Sequence, residues 1–276
     1  MARLVAIVFV FAIYFLFSSN AGTPQAAAAE PKLDIQRNLV FHEVEVEKLQ
    51  ADLYRIADDE LRPVVVLIHG GGWATGDKWN MADHARELAR AGFVVFNINY
   101  RLAPKHLFPA QVDDCRVALK WIVEKSTQYH IDTNRIGVYG YSAGAHLAAL
   151  IACNPAQDQP KIKAVVAGGA PCDFSELGLK NRTLAYWLGG SRAEKPEVYK
   201  AASPRLFASP EDPPFFFFHG DEDGLVPLDN SRCLHDELQK CGITSEFMQV
   251  NGQGHLMTFL NREARTKAVE FLKKHL

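Results

Sequence analysis

Hydrophobic residues fall in short, nearly unbroken runs along most of this chain, separated by stretches of helical periodicity. Residues 39–56 instead alternate in part (Val44, Val46, Leu49, Leu53), which predicts an antiparallel strand pair. Beyond them, Val64–His69, Phe93–Tyr100, Arg135–Gly140, Lys163–Gly169, Phe215–His219 and Glu246–Val250 read as strands. Helices are predicted over Ala82–Ala91, Ala110–Thr127, Ala143–Cys153, Ser231–Cys241 and Arg262–Leu276. Strands this apolar, alternating with helices, predict a mostly parallel eight-stranded sheet with helices on both faces. Such sheets carry their sites at the carboxyl ends of the strands, so chemistry is expected just after each run. Residues 174–212 exceed a simple crossover and hold Tyr186, Trp187 and several prolines. A segment of that length either forms a small cap beside a site or packs as plain surface.

The first residues follow a different pattern. Arg3 is the only charge before Glu30, Leu4 to Phe17 is an apolar run of 14 closed by Ser18-Ser19-Asn20, and Ala27-Ala28-Ala29 precedes Glu30. A short basic end, a short apolar core and small residues describe a secretory signal peptide over 1–29. The run is short of the roughly 20 residues that span a bilayer. Its other readings are an uncleaved anchor and a buried helix. Export to a periplasmic or extracellular space is therefore expected, with no stable membrane insertion once the segment is cleaved. Residues 30–276 then form one catalytic domain.

Composition narrows the class further. Thirty basic against 32 acidic residues leave a net charge of −2, so no nucleic-acid partner is expected. The five cysteines are too few for a disulfide scaffold, and an odd number leaves at least one unpaired within the chain. Cys233 and Cys241 at the two ends of one helix would stand about 12 Å apart, too far to bridge. No cysteine or histidine spacing suits a metal.

Four motifs fall at predicted strand ends. Gly140-Tyr141-Ser142-Ala143-Gly144 lies between a strand and an Ala-rich helix. Its glycines permit a sharp elbow that lifts a serine hydroxyl above the sheet. His69-Gly70-Gly71-Gly72-Trp73 presents backbone N–H groups with no side chains in the way. Such donors can hold the oxyanion of an acyl-transfer transition state, with the amide of Ala143 as partner. The glycines lack the Gly-Lys-Ser/Thr of a phosphate loop and the spacing of a dinucleotide fingerprint. His219-Gly220-Asp221-Glu222-Asp223 offers several acids, and Gly254-His255 follows the last strand. The order is serine, acid, histidine, with 32 residues from Asp223 to His255.

Other candidates have plainer roles. His69 and His219 are expected to brace strand-end loops, and His146 to be structural. His42, His84, His106, His130, His235 and His275 have no motif around them and are expected at the surface. Asp113 and Asp114 are read as bracing the loop at Tyr100-Arg101. Trp73, Trp79, Phe174, Tyr186, Trp187 and Met257 are candidate cavity walls, each equally an ordinary core residue.

These residues resemble the α/β-hydrolase superfamily over about 39–276. Tyr100-Arg101-Leu102-Ala103-Pro104, Phe108-Pro109-Ala110 and Asp113-Asp114 look like the hormone-sensitive-lipase-like esterases. Trp187-Leu188-Gly189-Gly190 and Ala202-Ser203-Pro204 look more like the bifunctional feruloyl and acetylxylan esterases. The chain departs from that branch at Gly144-Ala145-His146, where Gly-Gly-His is common, and it shows no N-terminal cap helices. The resemblance implies Ser142 as nucleophile, Asp223 as acid and His255 as base. Asp221 and Asp173 compete for the acid's role. Gly71, Gly72 and Ala143 are implied as oxyanion donors. It further implies a serine carboxylesterase that needs no cofactor and acts on a small-molecule or polysaccharide-linked ester. A peptidase, a lactonase and a non-catalytic binding module are the alternatives.

Overall fold

A computed structural model describes residues 30–276, so the signal-type segment 1–29 lies outside the described residues. Eight strands form one sheet: β1 (Leu33–Val44), β2 (Glu47–Ile56), β3 (Arg62–Ile68), β4 (Val94–Ile98), β5 (Ile131–Tyr141), β6 (Ile162–Gly168), β7 (Phe215–Gly220) and β8 (Ser245–Val250). Their order is β1-β2-β4-β3-β5-β6-β7-β8. Strand β2 runs antiparallel to both β1 and β4, and every other pairing is parallel. This is the α/β-hydrolase arrangement that the motifs implied.

The apolar runs become strands because they must serve two cores. Side chains alternate across a sheet. In β7, Phe215 and Phe217 enter one core, and Phe216 and Phe218 the other. Val64, Val66 and Ile68 of β3 likewise face one side, and Val65 and Leu67 the opposite side. The first core is covered by α2 (Ala110–Glu124), α3 (Ser126–Tyr129), α4 (Ala143–Cys153) and α7 (Asp229–Lys240). The second is covered by α1 (Ala82–Arg90) and α9 (Arg262–His275). Short helices α5 (Ala185–Leu188) and α6 (Pro196–Ala201) lie within the long segment after β6, and α8 (His255–Leu260) follows β8.

The structure differs from expectation in instructive places. Strand β1 begins at Leu33, ahead of the expected 39, and register shifts between Gln36 and Leu39, and between Val40 and His42, break the alternation that would have marked it. Asn38 sits there at φ 56°, its amide held by the Asp52 carboxylate. The helix expected to reach Thr127 stops at Glu124, and α3 follows as a separate turn ending at His130 with φ 56°. His84 is buried rather than exposed: it lies on the inner face of α1, its ring stacked on Phe259 of α8. The other five histidines of its group are half-buried. All five cysteines are free thiols.

Helix α4 sits hard against the sheet at Gly144. A Cβ there would stand 2.1 Å from the Ile68 carbonyl oxygen of β3, so the helix start would have to back away. Gly144→Ala is therefore expected to cost about 1–3 kcal/mol. A melting temperature lower by roughly 2–10 °C would report it. An unchanged melting temperature would contradict the close approach.

Candidate active site

Ser142 occupies the turn between β5 and α4 with φ 55° and ψ −122°, a strained conformation for a residue with a Cβ. The surrounding packing holds it there. The Ser142 amide donates to the Gly168 carbonyl at 2.8 Å. The site Cβ of Gly140 would lie 2.2 Å from Gly144, so neither flank of the elbow admits a side chain. Ser142 is half-buried and faces a cavity of about 760 Å³. Ala143 is the first residue of α4, so its N–H has no intrahelical acceptor.

The glycine loop after β3 is wound through Gly71 (φ 120°), Gly72 (φ 57°) and Trp73 (φ 58°). The Gly71 carbonyl accepts the amides of Ala74 and Thr75, and the Gly72 carbonyl accepts the Tyr186 hydroxyl at 2.7 Å. In a trans peptide the N–H points opposite to the carbonyl before it. Turning the Gly71 carbonyl into the loop thus turns the Gly72 N–H outward, and Gly72 lines the cavity. Trp73 pins the loop from below: its ring stacks on Trp187 at 3.8 Å between centroids.

The acid and the histidine meet as expected. Asp223 is 8% exposed, and its Oδ2 accepts from His255 Nδ1 at 2.5 Å. Its Oδ1 accepts from the Leu225 and Val226 amides at 2.9 and 2.8 Å. Burial works against this carboxylate, but the Val226 amide and the His255 imidazole outweigh it and hold its pKa below the ordinary value. Asp221 instead takes the Gly252 amide and the Gln249 side chain, and Asp173 pairs with Arg205 at 2.7 Å. His255 opens α8 and faces the same cavity as Ser142. Among the described contacts no hydrogen bond joins the serine hydroxyl to the imidazole. Such bonds are often long until substrate is bound.

One contact of the acid was not read from the sequence. His219 is fully buried, and its Nε2 donates to the Val226 carbonyl at 2.9 Å while standing 3.1 Å from Asp223 Oδ2. It braces the loop, as expected, and also brings a second imidazole N–H to the carboxylate. The i, i+4 spacing in His219-Gly-Asp-Glu-Asp223 was the available signal. Asp114 braces the expected loop through Arg101, whereas Asp113 pairs with Arg116. Of the candidate walls, Trp73, Trp79, Phe174 and Tyr186 line cavities at Ser142. Trp187 is wholly buried core, and Met257 is exposed outside both cavities. Among the described residues no cluster of His, Cys, Asp or Glu is placed to hold a metal, and no helix is long and apolar enough to cross a membrane.

The family model BD-FAE matches residues 51–238, which hold the elbow, the glycine loop and the acid. The chain belongs to the BD-FAE family. Among relatives of this BD-FAE chain is the probable carboxylic ester hydrolase LipM of Mycobacterium tuberculosis. It is 32% identical over 208 residues, 68% of this chain and 48% of LipM. The chain spans about half the length of the first relatives it matches. A truncated carbohydrate esterase from gut microbiota superposes with a TM-score of 0.78 at 22% identity, covering 90% of this chain and 98% of that one. Esterase 2 of Thermogutta terrifontis gives 0.76 at 24%, covering 91% and 97%. At these identities the likeness establishes the α/β-hydrolase fold of the BD-FAE chain.

Beside the elbow, His146 sets a pH limit on stability. It is fully buried, with Nδ1 accepting from Trp73 Nε1 at 3.2 Å and Nε2 donating to the Ala202 carbonyl at 2.7 Å. A second proton would face the indole N–H, and burial pushes the pKa down to about 4. An unfolded histidine protonates near ~6.5, so the unfolded state binds more protons between those values. Stability is then expected to fall as pH drops from about 6.5 toward 4, by a few kcal/mol in all. His84, pushed down to about 3 by burial, adds with the same sign. His146→Gln keeps an acceptor and a donor but does not titrate. Urea midpoints for this variant should depend less steeply on pH than those of the parent, and equal slopes would refute the assignment.

Proposed function

We propose that this chain is a serine ester hydrolase using Ser142, His255 and Asp223. The observation that carries the reading is the Asp223–His255 pair, which faces the cavity that the strained Ser142 also lines. Its relatives, among them the probable carboxylic ester hydrolase LipM and the esterase LipQ of Mycobacterium tuberculosis, support the same reaction.

In this reading His255 Nε2 takes the Ser142 proton as Oγ attacks the ester carbonyl carbon. Asp223 fixes the Nδ1–H tautomer and stabilises the imidazolium. The oxyanion is held by the amides of Gly71 or Gly72 and of Ala143. The ester C–O bond breaks, the leaving alkoxide takes the proton from His255, and an acyl-serine remains. Water then attacks that acyl group, with His255 again as base, and releases the acid. The substrates proposed are short-acyl or carbohydrate-linked acetyl and feruloyl esters, in line with the carbohydrate esterase among its structural neighbours. We further propose, from the signal-type pattern of residues 1–29, that the enzyme acts outside the cytoplasm.

The test is hydrolysis of p-nitrophenyl acetate, methyl ferulate and acetylated xylan by the parent and by Ser142→Ala. Serine-dependent cleavage supports the reading. Ester turnover that survives the substitution would sink it.

A further inference from the structure

Asp223 stands between two imidazoles, and only one of them has a part in the reaction so far. His219 Nε2 lies 3.1 Å from Asp223 Oδ2, the same oxygen that accepts from His255 Nδ1 at 2.5 Å. We propose that His219 is a positioning residue for the hydrolysis, whose Nε2–H holds Oδ2 of the acid in the orientation that His255 needs. This rests on the ester-hydrolase reading above.

The count of protons identifies the donor. Nε2 faces two acceptors, the Asp223 carboxylate and the Val226 carbonyl at 2.9 Å, so it carries a hydrogen. Nδ1 lies 2.7 Å from Ser231 Oγ, which also accepts the Ala170 amide at 3.1 Å. The Ala170 carbonyl stands 2.9 Å from the same Oγ and competes for its single proton. Were that proton given to Ala170, Nδ1 would need a second one, on a fully buried ring whose pKa burial pushes down. The Ser231 hydroxyl therefore donates to Nδ1, and the ring is neutral with its hydrogen on Nε2. Asp223 and His255 are the titratable groups that face it.

The second donor meets a problem of alignment. The Leu225 and Val226 amides pin Oδ1, which leaves the carboxylate free to swing Oδ2 about that pivot. His255 alone is a poor restraint, because it stands at the cavity and its charge changes with each proton transfer. His219 comes from the opposite direction. It belongs to β7, is paired there with Gln249 of β8, and is anchored through Ser231 of α7. A donor fixed to the sheet sets the acid before substrate arrives, as a preorganised site requires.

Two replacements of the ring separate this role from bracing. Asparagine puts its amide near the Nδ1 position, so it keeps Ser231 and leaves Oδ2 without the donor. Glutamine reaches the Nε2 position and keeps the donor. With p-nitrophenyl acetate, His219→Asn should lower kcat about tenfold to a hundredfold, the worth of one hydrogen bond to a charged group, at unchanged KM. The proton resonance of His255 Nδ1–H should shift or vanish, and His219→Gln should recover most of the kcat and the resonance. A role limited to bracing predicts otherwise. Leu225, Val226 and Pro227 line a cavity at Ser142, so a slack loop would raise KM and activity would follow the urea midpoint. That pattern, a fully active His219→Asn, or equal losses in both variants would overturn the proposal. The parent supplies a test that needs no variant to fold: with isotope-labelled histidine, His219 should report the neutral Nε2–H tautomer, and a hydrogen on Nδ1 would refute the assignment. A parent that turns over no ester sinks the ester-hydrolase reading, while the two resonances still decide whether His219 holds Asp223.

Discussion

Ser142→Ala should lower kcat for p-nitrophenyl acetate by about a millionfold, the scale seen when a nucleophile working in concert with its base is removed. The reason is local. His255 and Asp223 keep their 2.5 Å contact in the variant, but the imidazole has no hydroxyl to deprotonate. Whatever turnover remains comes from substrate held near backbone donors with water as nucleophile. Stability should hardly change, because alanine keeps the Cβ and meets the same strain at φ 55°. Ser142→Gly makes the distinction sharper. Glycine adopts positive φ at little cost, so this variant should be equally inactive yet more stable than Ser142→Ala by about 1–2 kcal/mol. Stopped-flow turnover together with urea denaturation checks both halves. A loss of activity matched by a loss of folding would mean that Ser142 is structural.

Asp223→Asn is the second large effect, about ten-thousandfold in kcat. The carboxylate is surrounded by donors: two amides on Oδ1, and His255 with His219 around Oδ2. Asparagine supplies one acceptor oxygen. With that oxygen on the Leu225 and Val226 amides, its NH₂ faces His255 and makes Nδ1 an acceptor. The imidazole proton is then on Nε2, and the ring can no longer take the serine proton. The same NH₂ opposes the His219 N–H. The kcat loss should therefore greatly exceed any rise in KM. A variant with altered KM and intact kcat would argue that Asp223 only shapes the loop.

Much of this was legible in the residues. The runs at Val64, Phe93 and Phe215 could be placed because a strand apolar on both faces is conspicuous without any knowledge of its partners. The elbow was legible because close approach leaves no room for a Cβ at Gly140 and Gly144, and the glycine loop because Gly71 and Gly72 take positive φ. What stayed hidden depends on distant contacts. His84 is buried between Tyr139 of β5 and Phe259 of α8, and that six-residue helix has no periodicity long enough to read. Trp187 looked equally suited to a wall or a core, and partners mostly distant in sequence, Trp73, Phe108, Gln111 and His146, settle it as core. The second imidazole on Asp223 was hidden in the same way, since a histidine ending a strand can turn toward either neighbour.

The tie between Tyr186 and Gly72, with Trp187 seated on Trp73, bears on how this scaffold can be re-engineered. Residues 174–212 look like a cassette that could be exchanged between relatives to alter selectivity. Two of their side chains are, however, fasteners for a loop more than a hundred positions earlier. A transplanted cassette should retain an aromatic hydroxyl at 186 and an indole at 187. Shuffled libraries that randomise those two positions are expected to yield mostly folded chains with slow chemistry, whereas libraries confined to 176–184 should return catalysts with new preferences.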